Sequence, residues 1–182
     1  MSFKKFLALL AAIVFLGVSA FAQATTMLFL TREELTLRSD IVARVRVGKA
    51  AVSESDDGRM IVTRTELVVT KLLKGKVQGP IVVQQFGGTF RGKTQKVVGD
   101  GQLRPGEDAV VFLRRDDKGK TYLTGLALSV YHIDDKGMAR RYVDDMVFMK
   151  YEDGKVKRMA HVELPEPVES LMTDIVRFAG GK

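Results

Sequence analysis

Along most of the chain apolar and polar residues alternate in short runs, and glycine-rich turns separate the runs. In residues 41–47, Ile41, Ala43, Val45 and Val47 fall on one side while Val42, Arg44 and Arg46 fall on the other. A period of two predicts a half-buried strand. Residues 60–73 alternate likewise and are rich in β-branched side chains, with a polar turn at 53–58 before them. The two runs together predict an antiparallel hairpin. After breaks at Lys74-Gly75-Lys76 and Gly79-Pro80, residues 81–86 predict a third strand. A glycine-rich stretch covers 87–106, and 109–113 is apolar without interruption, the pattern of a buried strand. Further strands are predicted at 121–126, 128–133, 138–143, 146–151 and 156–162, separated by Asp-Gly turns, and Pro165 and Pro167 stop the sheet.

Two segments break this rhythm. Thr31-Arg32-Glu33-Glu34 fits a capping box, with Thr at the N-cap and Glu three residues on, and predicts a short helix over 32–38. From Val168 the period changes, and Val168, Leu171, Met172, Ile175, Val176 and Ala179 form one stripe of a C-terminal amphipathic helix starting at about 167. Pro167 suits its first turn and Gly180 lies past its end. Covering one face or end of the sheet is the expected use of that stripe. Eight or nine short strands, no internal repeat and no crossover helices predict a mainly β domain, a barrel or a curled antiparallel sheet.

The first 24 residues read as an address. Lys4 and Lys5 precede an apolar run from Phe6 to Phe21, and Ala20-Phe21-Ala22 and Ala22-Gln23-Ala24 each offer a small-x-small cleavage pattern. These are the three marks of a secretory signal peptide. The run is slightly short for a membrane span, which needs roughly 20 residues. Cleavage after Ala24 is favoured, so residues 1–24 are the signal peptide and 25–182 a single β-rich domain, exported to the periplasm or the medium. No second long apolar stretch occurs, so no span is expected in the mature chain.

Composition narrows the chemistry. The chain has no Cys and two His, which removes a disulfide framework, a Cys-ligated zinc and a thiol nucleophile. Basic residues number 29 against 22 acidic; without Lys4 and Lys5 the balance is 27 to 22, a net +5. That excess serves solubility and weak attraction to anionic surfaces and does not indicate specific nucleic acid. No cofactor is expected.

Gly87-Gly88-Thr89-Phe90-Arg91-Gly92-Lys93-Thr94 matches the P-loop pattern letter for letter. A P-loop, however, opens into a helix whose N-terminus completes the phosphate site. The residues that follow, Gln95 to Gly101, are too short and glycine-rich for that helix. Asp56-Asp57, Asp116-Asp117 and Asp134-Asp135 precede glycines and read as turn chemistry, and Asp144-Asp145 is a fourth pair. None has calcium-loop spacing. His132 and His161 read as structural histidines. Arg44, Arg46 and Arg64, with Glu66, are expected on an outer hairpin face with cross-strand ion pairs. Arg91, Lys93, Lys96 and Arg104 crowd the glycine-rich stretch against a single Asp100. Long loops often carry function, so these four are the expected ligand-binding residues, the bland alternative being a mobile solvated loop. No catalytic or metal-ligating set is nominated.

The order of motifs carries a resemblance. Ser39-Asp40-Ile41-Val42-Ala43-Arg44-Val45 is followed by Lys71-Leu72-Leu73-Lys74-Gly75 and Ile81-Val82-Val83. The pair Gly87-Gly88 comes next, then Leu103-Arg104-Pro105-Gly106-Glu107-Asp108 before Val110-Val111-Phe112-Leu113. Over roughly 32–133 the chain resembles a poorly characterised group of exported bacterial β-domains, some beside matrixin-like metalloprotease domains. It is distantly similar to netrin-type modules, the OB-like barrels of tissue metalloproteinase inhibitors. The resemblance implies an OB-like barrel and a binding rather than catalytic role. Netrin-type inhibitors engage the catalytic zinc through an N-terminal cysteine, which this chain lacks, and it has no H-E-x-x-H. The expected function is an exported, non-enzymatic binding module whose partner is an envelope or secreted protein, a protease among them, or an anionic polymer. Alternatives are a hydrolase using unidentified carboxylates, nucleotide binding through 87–94, and a structural envelope component.

Overall fold

The structure, a computed structural model, describes residues 25–144 and 146–180. The expected signal peptide and Asp145 lie outside the described residues. In chain order the elements are β1 (Thr25–Leu28), α1 (Arg32–Arg38), β2 (Ile41–Glu54), β3 (Ile61–Lys74), β4 (Ile81–Phe86), β5 (Gly88–Phe90), β6 (Lys93–Gln95), β7 (Asp108–Arg115) and β8 (Thr121–Leu123). A 3-10 turn (Leu126–Ser129) follows, then β9 (Val130–Ile133), β10 (Met138–Arg140), β11 (Met146–Glu152), β12 (Lys155–Met159), β13 (Glu166–Pro167) and α2 (Val168–Ala179).

β2, β3, β4, β8 and β7 close on one another into a five-stranded barrel, with β7 pairing back to β2. The closing step is parallel, Val83 beside Thr121, and the other pairings are antiparallel. This is an OB-like arrangement. β3 matches the expected 60–73 to within a residue, but β2 runs well past the expected 41–47, to Ala50 opposite Thr65 and Glu54 opposite Ile61. Its outer arm is largely exposed, so main-chain pairing persists where the burial signal fades.

β7 explains the uninterrupted apolar run. Ala109, Val111 and Leu113 fill the barrel with Ile41, Ala43, Val45, Leu67 and Val83. Val110 and Phe112 face the other way into a second core, with Leu35 of α1, Tyr131 and the α2 residues Leu171, Met172 and Ile175. The C-terminal stripe therefore covers the sheet through Val168, Leu171, Met172 and Ile175, while Val176 of the expected stripe is exposed, and α1 begins at the expected capping box, Thr31 with Glu34.

Three details differ from the sequence reading. One edge of β7 serves two strands, β8 over Leu113–Arg115 and β9 over Asp108–Val111, and the 3-10 turn carries the chain between them. The expected strands at 121–126 and 128–133 are shortened to make room for it. The glycine-rich stretch contains a β5–β6 hairpin, with Phe90 opposite Lys93. Pro165 and Pro167 do not end the sheet, because Glu166 and Pro167 pair with β10 at the edge, where a missing N–H is tolerated. β1, β11 and β12 form a separate three-stranded sheet, whose Phe148 seals the second core.

Candidate functional site

The glycine-rich segment is pinned to the barrel. The side-chain amide of Gln85 donates to the Gly101 carbonyl at 2.6 Å, and the Gln95 side-chain oxygen accepts from the Ile61 amide at 2.9 Å. The Ala127 amide donates to the Gly99 carbonyl at 3.1 Å. Gly101 sits so close to the core that a Cβ there would lie 2.7 Å from Leu123 Cδ1 and 2.8 Å from Val130 Cγ2. The expectation of a purely solvated loop is therefore corrected: glutamines and a buried glycine fasten the segment.

Pinning it leaves a cleft of about 500 Å³ at one end of the barrel. One wall is the end of β4 with Gly87 and Gly88, the second is residues 95–102, and the third is His132, Tyr142, Asp144 and Met146. His132 is buried, its Nδ1 lies 3.1 Å from Glu107 Oε2, and its ring stacks on Tyr142 with centroids 4.2 Å apart. Burial pushes the imidazole below its ordinary value, and Arg104 adds to this, against the pull of Glu107. Asp100 is pushed above the usual carboxylate range by burial, which outweighs hydrogen bonds from Gln85 and the Gly101 amide. A second cavity of about 290 Å³ shares His132 and Tyr142 and adds Glu107, Asp134 and Arg140.

The four nominated basic residues do not form one cluster. Arg91 and Lys93 flank the β5–β6 turn, with Arg91 at φ 48° and its guanidinium 5.1 Å from the Phe90 ring centroid. Lys96 lines the cleft. Among the described residues none of these three has a carboxylate within salt-bridge distance. Arg104 does, pairing with Glu107 at 3.3 Å and donating also to Gln102. The P-loop-like octapeptide is the β5–β6 hairpin, so Lys93 lies on a strand rather than before a helix.

Arg44, Arg46 and Arg64 also separate. Arg44 pairs across strands with Asp108 at 2.6 Å, Arg46 donates to the Gly106 carbonyl, and Arg64 bonds Ser53 and Asp56. Asp57, Asp116 and Asp134 accept main-chain N–H groups in their own turns. His161 sits away from the cleft with Glu163 at 2.7 Å, beside Arg141. Burial would raise the Glu163 carboxyl, but Arg141 and His161 outweigh it and hold it below the usual range. Among the described residues no group of His, Asp and Glu is placed to hold a metal ion, and no helix is long and apolar enough to cross a membrane.

Of the residues that line the cleft, sequence reasoning singled out Lys96 and Asp100 and missed His132, Tyr142 and Asp144 as its walls. Only the pairing of β7 with β9 sets Glu107 beside His132, and no local pattern encodes it. Comparison with protein families, curated protein sequences and solved structures gives no match to this chain.

Proposed function

We propose that this chain is an exported binding module of the bacterial envelope or exterior that takes an anionic polymer at the cleft end of the barrel. One observation carries the reading: a pinned cleft of about 500 Å³ lined by Lys96, with Arg91 and Lys93 on the adjoining β5–β6 hairpin, three cations that no carboxylate neutralises among the described residues. Unpaired cations on a rigid frame attract an anion without prior loss of an internal ion pair. The leader-like first 24 residues and the motif likeness to exported β-domains support the location. A protein partner, a secreted protease included, is the other outcome of the test.

The test uses protein purified from its own cell envelope. Its intact mass should correspond to a chain starting at Thr25 or Gln23. Envelope polymer captured by it should be released by salt, since exposed charges are screened beyond about 8–10 Å at physiological ionic strength. Replacing Arg91, Lys93 and Lys96 by Ala should weaken capture at least about tenfold, as several charge contacts are lost together. Replacing Arg44, Arg46 and Arg64 is the control for net charge, and equal losses from both sets would reduce the site to diffuse attraction.

A hydrolase reading has one observation in its favour, the raised Asp100 carboxyl in the cleft, a group suited to donate a proton. Turnover of an envelope polymer abolished by Asp100→Asn would replace the binding reading.

A further inference from the structure

The small sheet β1–β11–β12 ends in a strand edge that the fold does not use. The sheet neighbour of β12 is β11, and among the described residues no main-chain hydrogen bond reaches β12 from another element. The strands are joined by Asp153-Gly154, both with positive φ, 52° and 73°. That is a two-residue hairpin turn, and in such a hairpin the flanking pair, here Glu152 and Lys155, exchanges main-chain hydrogen bonds. Alternation along the ladder then turns the N–H and C=O of Val156 and Arg158 outward, away from β11.

Several side chains on this edge are also unengaged, although Met159 packs against the second core. Val156 is 58% exposed and its direct cross-strand neighbour Tyr151 is 69% exposed, an apolar pair open to solvent. Lys157 is held by Glu152 and Asp153. Lys155 and Arg158 have no carboxylate within salt-bridge distance among the described residues. A second copy of the chain would crowd its own Lys155, Lys157 and Arg158 onto the same short edge, and like charges brought together across strands repel. The edge therefore disfavours its own kind and suits an acidic strand.

We propose that β12 is a strand-addition site for an extended acidic segment of another protein. The segment lies antiparallel, the slightly more stable pairing. Side chains directly across from one another share a face, so the edge specifies a short code. Read from the N-terminus of the partner, an apolar residue lies opposite Met159, an acid opposite Arg158 and a neutral residue opposite Lys157. A second apolar residue then meets Val156, and a second acid meets Lys155. This surface is independent of the ligand taken at the cleft.

The probe is a capped peptide, Gly-Ser-Val-Glu-Thr-Val-Glu-Ser-Gly, titrated into the protein by calorimetry at low salt. Saturable binding is expected, and a scrambled peptide of the same charge should bind at least about fivefold more weakly if pairing rather than charge selects it. Val156→Pro removes an outward donor that the ladder does not use, so the hairpin survives and binding falls about tenfold. Arg158→Glu should abolish binding, and a peptide with Lys in place of its first Glu should restore it. That exchange keeps the test decisive even where the proline variant fails to fold. No saturable binding, equal binding of the scrambled peptide, failure of the charge exchange, or self-association of the protein through this edge would each overturn the proposal.

Discussion

His132 shows how much a single side chain depends on its neighbours. Its ordinary pKa is 6.5, and in the fold burial pushes it down. The unfolded chain therefore takes up a proton at a pH where the folded chain does not. Stability contributed by the neutral, stacked ring is full above about pH 6.5 and is lost progressively as the pH falls from there through the lower folded value. The wild type should lose melting temperature between about pH 7.5 and about pH 5.5, and His132→Gln should flatten that part of the profile. An unchanged slope in the variant would mean that His132 is not the group responsible. At this scale the sequence reading was partial for a physical reason. Charge density is visible locally, so Arg91, Lys93, Lys96 and Arg104 could be nominated. Whether each cation finds a carboxylate depends on what the fold brings near it, and only Arg104 does, at Glu107.

Among the elements, those fixed by local chemistry were the legible ones. α1 is set by a capping box within four residues, and β7 by an apolar run that two cores demand. The β5–β6 hairpin was hidden because it is polar and glycine-rich and is held from a distance, by the Ile61 amide on the Gln95 side chain. The outer arm of β2 was hidden because exposed pairing leaves no hydrophobic trace. Gly75 was legible only as a break, and the structure supplies the cause. Its φ is +91°, and a Cβ there would lie 2.1 Å from the Asp40 carbonyl oxygen. The end of β3 passes across the start of β2 with no room for a side chain. Gly79 has a similar φ of +77° but open space around it. Gly79→Ala should cost about 1–2 kcal/mol, the price of a left-handed backbone alone. Gly75→Ala adds a clash with main chain and should cost at least about 1 kcal/mol more than that. Urea midpoints for the two variants measure the difference, and equal shifts would show that the backbone relaxes to accommodate the Cβ.

Across the whole molecule, barrel and outer layer share the same two strands. β2 and β7 contribute Ile41, Ala43, Ala109 and Val111 to the barrel interior, and Val42, Val110 and Phe112 to the second core. Neither core is complete without strands that the other also needs. Helix α2 buries Val168, Leu171, Met172 and Ile175 on this shared face. At about 1.5–3 kcal/mol for each fully buried side chain, the four contribute about 6–12 kcal/mol before entropy is set against them. That is comparable to the whole stability of an ordinary domain, about 5–15 kcal/mol. Its removal would also expose Val42, Phe112 and Tyr131 to water, which adds to the loss. A chain ending at Pro167 should therefore have no cooperative urea transition, while the intact chain unfolds in a single step by both near-UV and far-UV circular dichroism. Val176→Ala is the control on the same helix: Val176 is 51% exposed, and its truncation should change stability by less than about 0.5 kcal/mol. A shortened chain that still unfolds cooperatively would mean that the barrel is autonomous and the outer layer an accessory. The two cores would then be separate folding units despite the strands they share.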